Sequence, residues 1–143
     1  MKSVFIDTNV IIDFLADRVP FSEDAAKLFE LAKNKHIEIY IAAISINNTY
    51  YILRQVTSHQ KALKLIDQIE NYVTIIATSQ KIIQQAIKSN FNDFEDAIQY
   101  YSAKDNAKIE VIITRNTKDF KTSDIPILTP ETSVKLIIDS LNL

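Results

Sequence analysis

Short apolar runs alternate along this chain with longer stretches in which apolar side chains return every three or four residues. The first rhythm reads as strand and the second as helix. Lys2 to Ile6, β-branched and aromatic between polar flanks, predicts a first strand, and Asn9 to Leu15 a helix behind it. Ser22 to Asn34 predicts a second helix, with Ser22 as N-cap, Glu23 and Asp24 in the first turn, and Ala25, Leu28, Phe29 and Ala32 on one face. Ile37 to Ile41 alternates apolar with polar as a strand does. Helices over Ser45 to Gln55 and Ser58 to Asn71, a strand over Tyr72 to Ala77, and helices over Ser79 to Ser89 and Asp93 to Lys104 follow. Glu110 to Thr114 and Ile125 to Leu128 predict the last strands. Pro130-Glu131-Thr132 opens a final helix with proline in its first turn. Strands alternating with helices imply a parallel sheet covered on both faces. The expectation is an α/β fold: one three-layer domain over residues 1–143, with a central parallel sheet of four to five strands flanked by helices.

Composition narrows the function. A chain of 143 residues can bury an ordinary core, and 47% hydrophobic with 24% charged residues is usual for a soluble globular protein. The apolar runs are too short to span a membrane. The first residues lack the basic, apolar, then small pattern of a signal peptide, so a cytoplasmic location is expected. Without cysteine there are no disulfides and no Cys-based zinc sites. Without glycine, the phosphate-cradling loops of P-loop and dinucleotide-binding proteins are excluded. His36 and His59 are expected at the surface, neither with a partner at ligand spacing. A net charge of −2 argues against a broadly basic nucleic-acid surface. It leaves room for a nuclease that meets its substrate through a bound metal.

Three places carry candidate chemistry. Asp7 follows the first strand, where ligands gather in open α/β sheets. It reads either as a helix N-cap or as a ligand for a hard divalent ion, which takes oxygen donors and is often held by one or two carboxylates. Asn9 could orient Asp7 or a water, or simply stabilise the turn. Asp96 lies in Asn92-Asp93-Phe94-Glu95-Asp96-Ala97-Ile98, where Asn92 with Glu95 fits a capping box and Asp93 and Glu95 read as caps or rim groups. Asp96 itself stands at the verge of the buried face. The third place follows the apolar run Val111-Ile112-Ile113: Thr114, Asn116 and Asp119 can converge on the same pocket, with Phe120 anchoring the loop.

Together these segments resemble the PIN-domain ribonucleases, and among them the VapC-type toxins of toxin–antitoxin pairs. Asp7-Thr8-Asn9 is similar to the family's opening motif, Asp96-Ala97 to its central motif on a helix, and Thr114-Arg115-Asn116 through Asp119-Phe120 to its late motif. The resemblance implies endoribonuclease activity dependent on Mg²⁺ or Mn²⁺, with Asp7 and Asp96 as charged metal ligands, Asn116 as a further ligand, and Asp119 in the catalytic set. Asn9, Asn48, Glu95 and Thr114 would support them. Arg115 would contact the RNA backbone, with Lys2, Arg54 and Lys104 as other cations in reach. Two departures stand out: Asn48 and Asn116 occupy places where the family usually has acids. An amide oxygen can coordinate Mg²⁺ but brings no charge, so weaker metal affinity is expected. The resemblance also implies a small antitoxin as partner and a homodimer, with Tyr50-Tyr51 and Tyr100-Tyr101 as core or dimer-face residues. Two competing readings remain. One is a PIN-like interaction module that has lost catalysis. The other is a phosphatase of the haloacid-dehalogenase type, which would need an aspartate where Asn9 stands.

Overall fold

A computed structural model describes residues 1–142. Its frame is a five-stranded sheet: β1 (Ser3–Ile6), β2 (Glu38–Ala42), β3 (Val73–Ile76), β4 (Val111–Ile113) and β5 (Ile127–Leu128). All pairings are parallel, in the spatial order β3-β2-β1-β4-β5. The helices are α1 (Thr8–Leu15), α2 (Ser22–Lys33), α3 (Ala43–Val56), α4 (His59–Glu70), α5 (Gln80–Ile87), α6 (Phe94–Lys104) and α7 (Pro130–Leu141). The expected strands and helices are present, with ends shifted by a residue or two. A 3-10 turn at Thr117–Phe120 is an addition, in the loop that Phe120 anchors by complete burial.

Alternation along the strands creates the layers. Val4, Ile6, Ile39, Ile41, Val111 and Ile113 point to one face, where Val10 and Ile11 of α1, Leu28 of α2, Leu53 of α3 and Ile137 of α7 cover them. Phe5, Tyr40, Ala42 and Ile112 point to the other, beneath Tyr100 and Ala103 of α6 and Phe120. Full burial of each Leu or Ile side chain contributes about 1.5–3 kcal/mol, so the central strands are the best-secured part of the molecule. Of the tyrosine pairs, Tyr100 belongs to this core, Tyr50 is half-buried and bonded to the exposed His59, and Tyr51 is exposed. Among the described residues, no helix is long and apolar enough to cross a membrane.

Two helix ends show what the absence of glycine entails. Helices often close with a left-handed residue whose amide, with the next one, folds back on the last carbonyls. Here Asp17 (φ 51°) and Lys35 (φ 64°) take that position. Their amides donate to Phe14 and Ala32 carbonyls, and those of Arg18 and His36 to Asp13 and Leu31. The start of α2 also departs from expectation. Phe21, not Ser22, is the N-cap, and Ser22 is the first helical residue because its amide is already bonded to the Arg18 carbonyl. A side chain raises the energy of the left-handed conformation by roughly 1–2 kcal/mol. Lys35→Gly is therefore expected to stabilise the protein by about 1 kcal/mol, raising Tm by about 3 °C in a thermal melt.

Candidate metal centre

The strand order turns around between β1 and β4. The chain builds outward from β1 through β2 to β3, then returns to the other side of β1 for β4. Crevices at such switch points, beyond the carboxyl ends of the strands, are where α/β sheets bind ligands. Asp7 is the first residue past β1 and Thr114 the first past β4, and the Asp7 amide donates to the Ile113 carbonyl at 3.0 Å.

Asp7 stands at the N-cap position of α1, yet its side chain makes no capping bond. It is turned inward and only 3% exposed. Thr114 Oγ1 donates to Oδ2 at 2.7 Å, and Gln99 Nε2 donates to Oδ1 at 3.0 Å. Burial pushes this carboxyl above the usual range, and the two donors offset only part of that rise. Gln99 is itself completely buried, and its Oε1 accepts from the Thr8 amide at 3.0 Å. That oxygen also lies 3.2 Å from Thr8 Oγ1 and 3.3 Å from Ser45 Oγ. One amide group thus joins the end of β1 to α3 and α6. Gln99, Thr8 and Ser45 are absent from the sequence-derived set. The available signal was Gln99's place in the buried stripe of Ala97, Ile98, Tyr100 and Ala103, where an amide needs partners.

The start of α6 is capped by Asp93, whose Oδ1 accepts from the Asp96 amide at 2.9 Å. The expected capping box of Asn92 and Glu95 does not form. Glu95 instead reaches across to Asn48 Nδ2 at 2.5 Å and Thr8 Oγ1 at 3.0 Å. Asn48 therefore holds a carboxylate that another acid in its place would repel. Asp96 is half-buried, and its carboxyl is pushed up to about 7, first by burial and then by the charges of Asp93, Asp7, Asp119 and Glu95. Asp96, Asp93 and Asp119 line one cleft of about 230 Å³ with Lys118 and Lys121. Thr8, Asn9, Asn48, Tyr51 and Glu95 line a neighbouring one of about 360 Å³, together with Arg18, a cation absent from the sequence-derived set. Asn116 is exposed; its amide donates to Thr114 Oγ1 at 3.0 Å, and its carbonyl accepts from the Asp119 amide at 3.0 Å.

The cations sort differently from expectation. Arg115 is committed to Asp13 through two hydrogen bonds and lines another cavity, with Phe21 and Pro130. Lys104 is paired with Asp124 at 2.8 Å. Lys2 precedes β1, at the end of the sheet opposite Asp7, and Arg54 is exposed on the last turn of α3. Lys118 and Lys121, absent from the sequence-derived set, are the lysines that line the cleft beside Asp96.

The donor set suits a hard divalent ion. It offers carboxylate and amide oxygens, and among the described residues neither Asp7 nor Asp96 has a Lys or Arg at ion-pair distance. The mutual repulsion that raises Asp96 is what a cation would relieve. Among the described residues, no three His, Cys, Asp or Glu side chains stand in ready-made ligand geometry. Mg²⁺ commonly takes only one or two carboxylates and keeps several waters.

A PIN domain family model matches residues 3–118, and the chain belongs to that family. A search of curated proteins finds no match. Among solved structures, a toxin–antitoxin complex from Klebsiella pneumoniae aligns at 25% identity and a TM-score of 0.65, over 89% of this chain and 97% of that one. A DNA-bound VapBC from Salmonella typhimurium aligns at 15% identity and 0.68, over 91% and 99%. Mycobacterium tuberculosis VapC20, described as a sarcin–ricin loop cleaving toxin, aligns at 14% identity and 0.60, over 76% and 86%. The fold is that of the VapC proteins. The phosphatase reading loses its support, since the family match covers the Asp7 segment on which it rested.

A carboxyl that holds its proton more tightly when folded favours the native state at low pH and loses that advantage as pH rises. For Asp96 the loss runs from the ordinary carboxylate value of 3.8 up to about 7. In EDTA, the melting temperature of the wild type is expected to decline over this range. Asp96→Asn should flatten the decline and melt a few degrees higher at pH 8, as thermal melts across pH would register.

Proposed function

We propose that this protein is a divalent-metal-dependent endoribonuclease using Mg²⁺ or Mn²⁺, acting as the toxin of a toxin–antitoxin pair. The observation that carries the reading is the pair Asp7 and Asp96 at the sheet's switch point. One is held by Thr114 and Gln99, and the other is raised by burial and by surrounding acids. Membership of the PIN family and the likeness to VapC proteins support it.

In this reading Asp7 and Asp96 would hold the ion, with Asn116, Asp119 and Asn48 in support. A bound ion of this kind polarises a phosphodiester and lowers the pKa of a coordinated water. The protein supplies the rest. Thr114 and Gln99 favour the ionised form of Asp7 and fix its orientation, and Asn48 and Thr8 fix Glu95 beside it. Asp96, with a carboxyl near 7, can accept a proton at neutral pH when no ion is bound and releases it on loading. Lys118 and Lys121 are placed to meet phosphates next to the scissile one, taking the role first expected of Arg115. Tyr51, Ile52 and Val56 leave an apolar stripe exposed on α3, suited to a second copy of the chain or to the antitoxin.

A second reading is favoured by Asn48 and Asn116: a PIN-like module kept for interaction, its site too weakly charged to load. Calorimetry separates the two. With the enzyme reading, Mn²⁺ binds the wild type in the micromolar to millimolar range, and Asp7→Asn abolishes binding and ribonuclease activity. No binding by the wild type at millimolar Mn²⁺ overturns the enzyme reading.

A separate expectation concerns the lysines. Lys118→Gln with Lys121→Gln should weaken RNA binding, measured by anisotropy in Ca²⁺, and reduce the salt slope by about 1–2.

A further inference from the structure

Asp13 lies on α1 beyond Asp7, only 1% exposed, and two arginines meet it. Arg115 approaches as a fork, with Nε 2.5 Å from Oδ2 and Nη2 3.1 Å from Oδ1. Arg18 Nε lies 2.9 Å from Oδ1. The Arg115 guanidinium is stacked on the Phe21 ring, 3.9 Å from its centroid. A carboxylate buried this deeply draws little net stability from its partners, because its desolvation offsets most of the attraction. What a planar fork supplies is direction, since guanidinium and carboxylate match in few orientations.

The place of Arg115 in the chain gives that direction a use. It sits between Thr114, which donates to Asp7, and Asn116, beside the cleft. Past Thr114, whose amide still bonds to the Leu128 carbonyl of β5 at 3.0 Å, the backbone is irregular up to the 3-10 turn, and no sheet ladder orients it. Its exit is tied to α1 at two points instead: Thr114 to Asp7 at the helix start, and Arg115 to Asp13 further along. Without the second, the heading of the chain between Thr114 and the buried Phe120 would be set by short-range bonds alone. Two ties on one rigid helix fix both its position and its heading.

We propose that Asp13, acting through Arg115, is a positioning residue for the metal centre, holding Thr114 and Asn116 in the orientation that supports Asp7. The proposal rests on the nuclease reading of that centre, but its residues lie outside the cleft. Arg18 provides the control, because it meets the same buried carboxylate and belongs to α1's far end rather than to the β4 exit.

The test compares wild type, Arg115→Met, Arg115→Lys and Arg18→Met. Three quantities are read: Tm, Mn²⁺ affinity by calorimetry below the melting range, and hydrogen exchange of the Asn116 to Phe120 amides without metal. Arg18→Met should lower Tm and leave loop exchange at the wild-type rate, while any change in its Mn²⁺ affinity reflects its place in the cleft beside Glu95. Arg115→Met should weaken Mn²⁺ binding by about 10- to 100-fold, the usual effect of losing a residue that orients a metal ligand, and should speed exchange in the loop. Arg115→Lys keeps the charge without the fork and should recover little of either. If Arg115→Met lowers Tm as Arg18→Met does but keeps wild-type Mn²⁺ affinity and loop exchange, Asp13 is structural only and the proposal is wrong. Should Arg115→Met fail to fold, Arg115→Lys decides by the same two readouts. If the wild type itself binds no Mn²⁺, the nuclease reading falls, and unchanged loop exchange in the Arg115 variants overturns the positioning role on its own.

Discussion

A carboxyl group enclosed by the protein is the constraint around which the rest is arranged. Asp7 is almost sealed from solvent, and an ion in that position is costly unless polar groups replace water. Thr114 and Gln99 do so, one on each oxygen. Each donor is brought by a different element: Thr114 by the strand beside β1, Gln99 by the helix above it. The requirement to satisfy Asp7 therefore fixes how β4 and α6 sit against the centre of the sheet. Removing either donor would leave a buried carboxyl group one bond short, which costs about 1–3 kcal/mol.

The same arrangement accounts for the amides that seemed to disarm the site. Asn48 does not stand in an empty acidic position. It donates to Glu95, so that a carboxylate from α6 lies where Thr8 and Asn48 can hold it. Negative charge is retained near Asp7 and Asp96, supplied from a different helix. Asn116 contributes chiefly through its backbone, with its amide on Thr114 and its carbonyl on Asp119. A side-chain substitution at such a place changes less than its motif position suggests.

Much of the fold was legible because it rests on local rules. The β-branched runs of β1, β2 and β4 and the helical stripes between them are periodic signals, and parallel order follows from their alternation. Asp7, Asp96 and Asp119 were legible from motif likeness and from their places after strands or at a helix start. Gln99 was not, because its importance depends on which residues the fold sets opposite it. Nor was the commitment of Arg115 to Asp13, which joins residues remote in sequence and looks, on a linear reading, like an exposed cation beside an acidic site. The capping of α6 by Asp93 rather than Asn92 shows a smaller failure of the same kind. Glu95 could not both close a capping box and reach Asn48, and the tertiary partner won.

The strand order has a temporal side as well. Asp7 and Thr114 are separated by 107 positions in sequence, yet they share one hydrogen bond. A chain growing from its N-terminus carries Asp7 from the outset, with neither Gln99 nor Thr114 to hold it. β1, β2 and β3 can pair, but the centre of the sheet stays open on one side until β4 arrives to close it. Nascent or truncated chains that stop short of β4 therefore possess the first acid without the centre. The candidate site is therefore assembled only once β4 has been made, whatever the earlier strands have already paired.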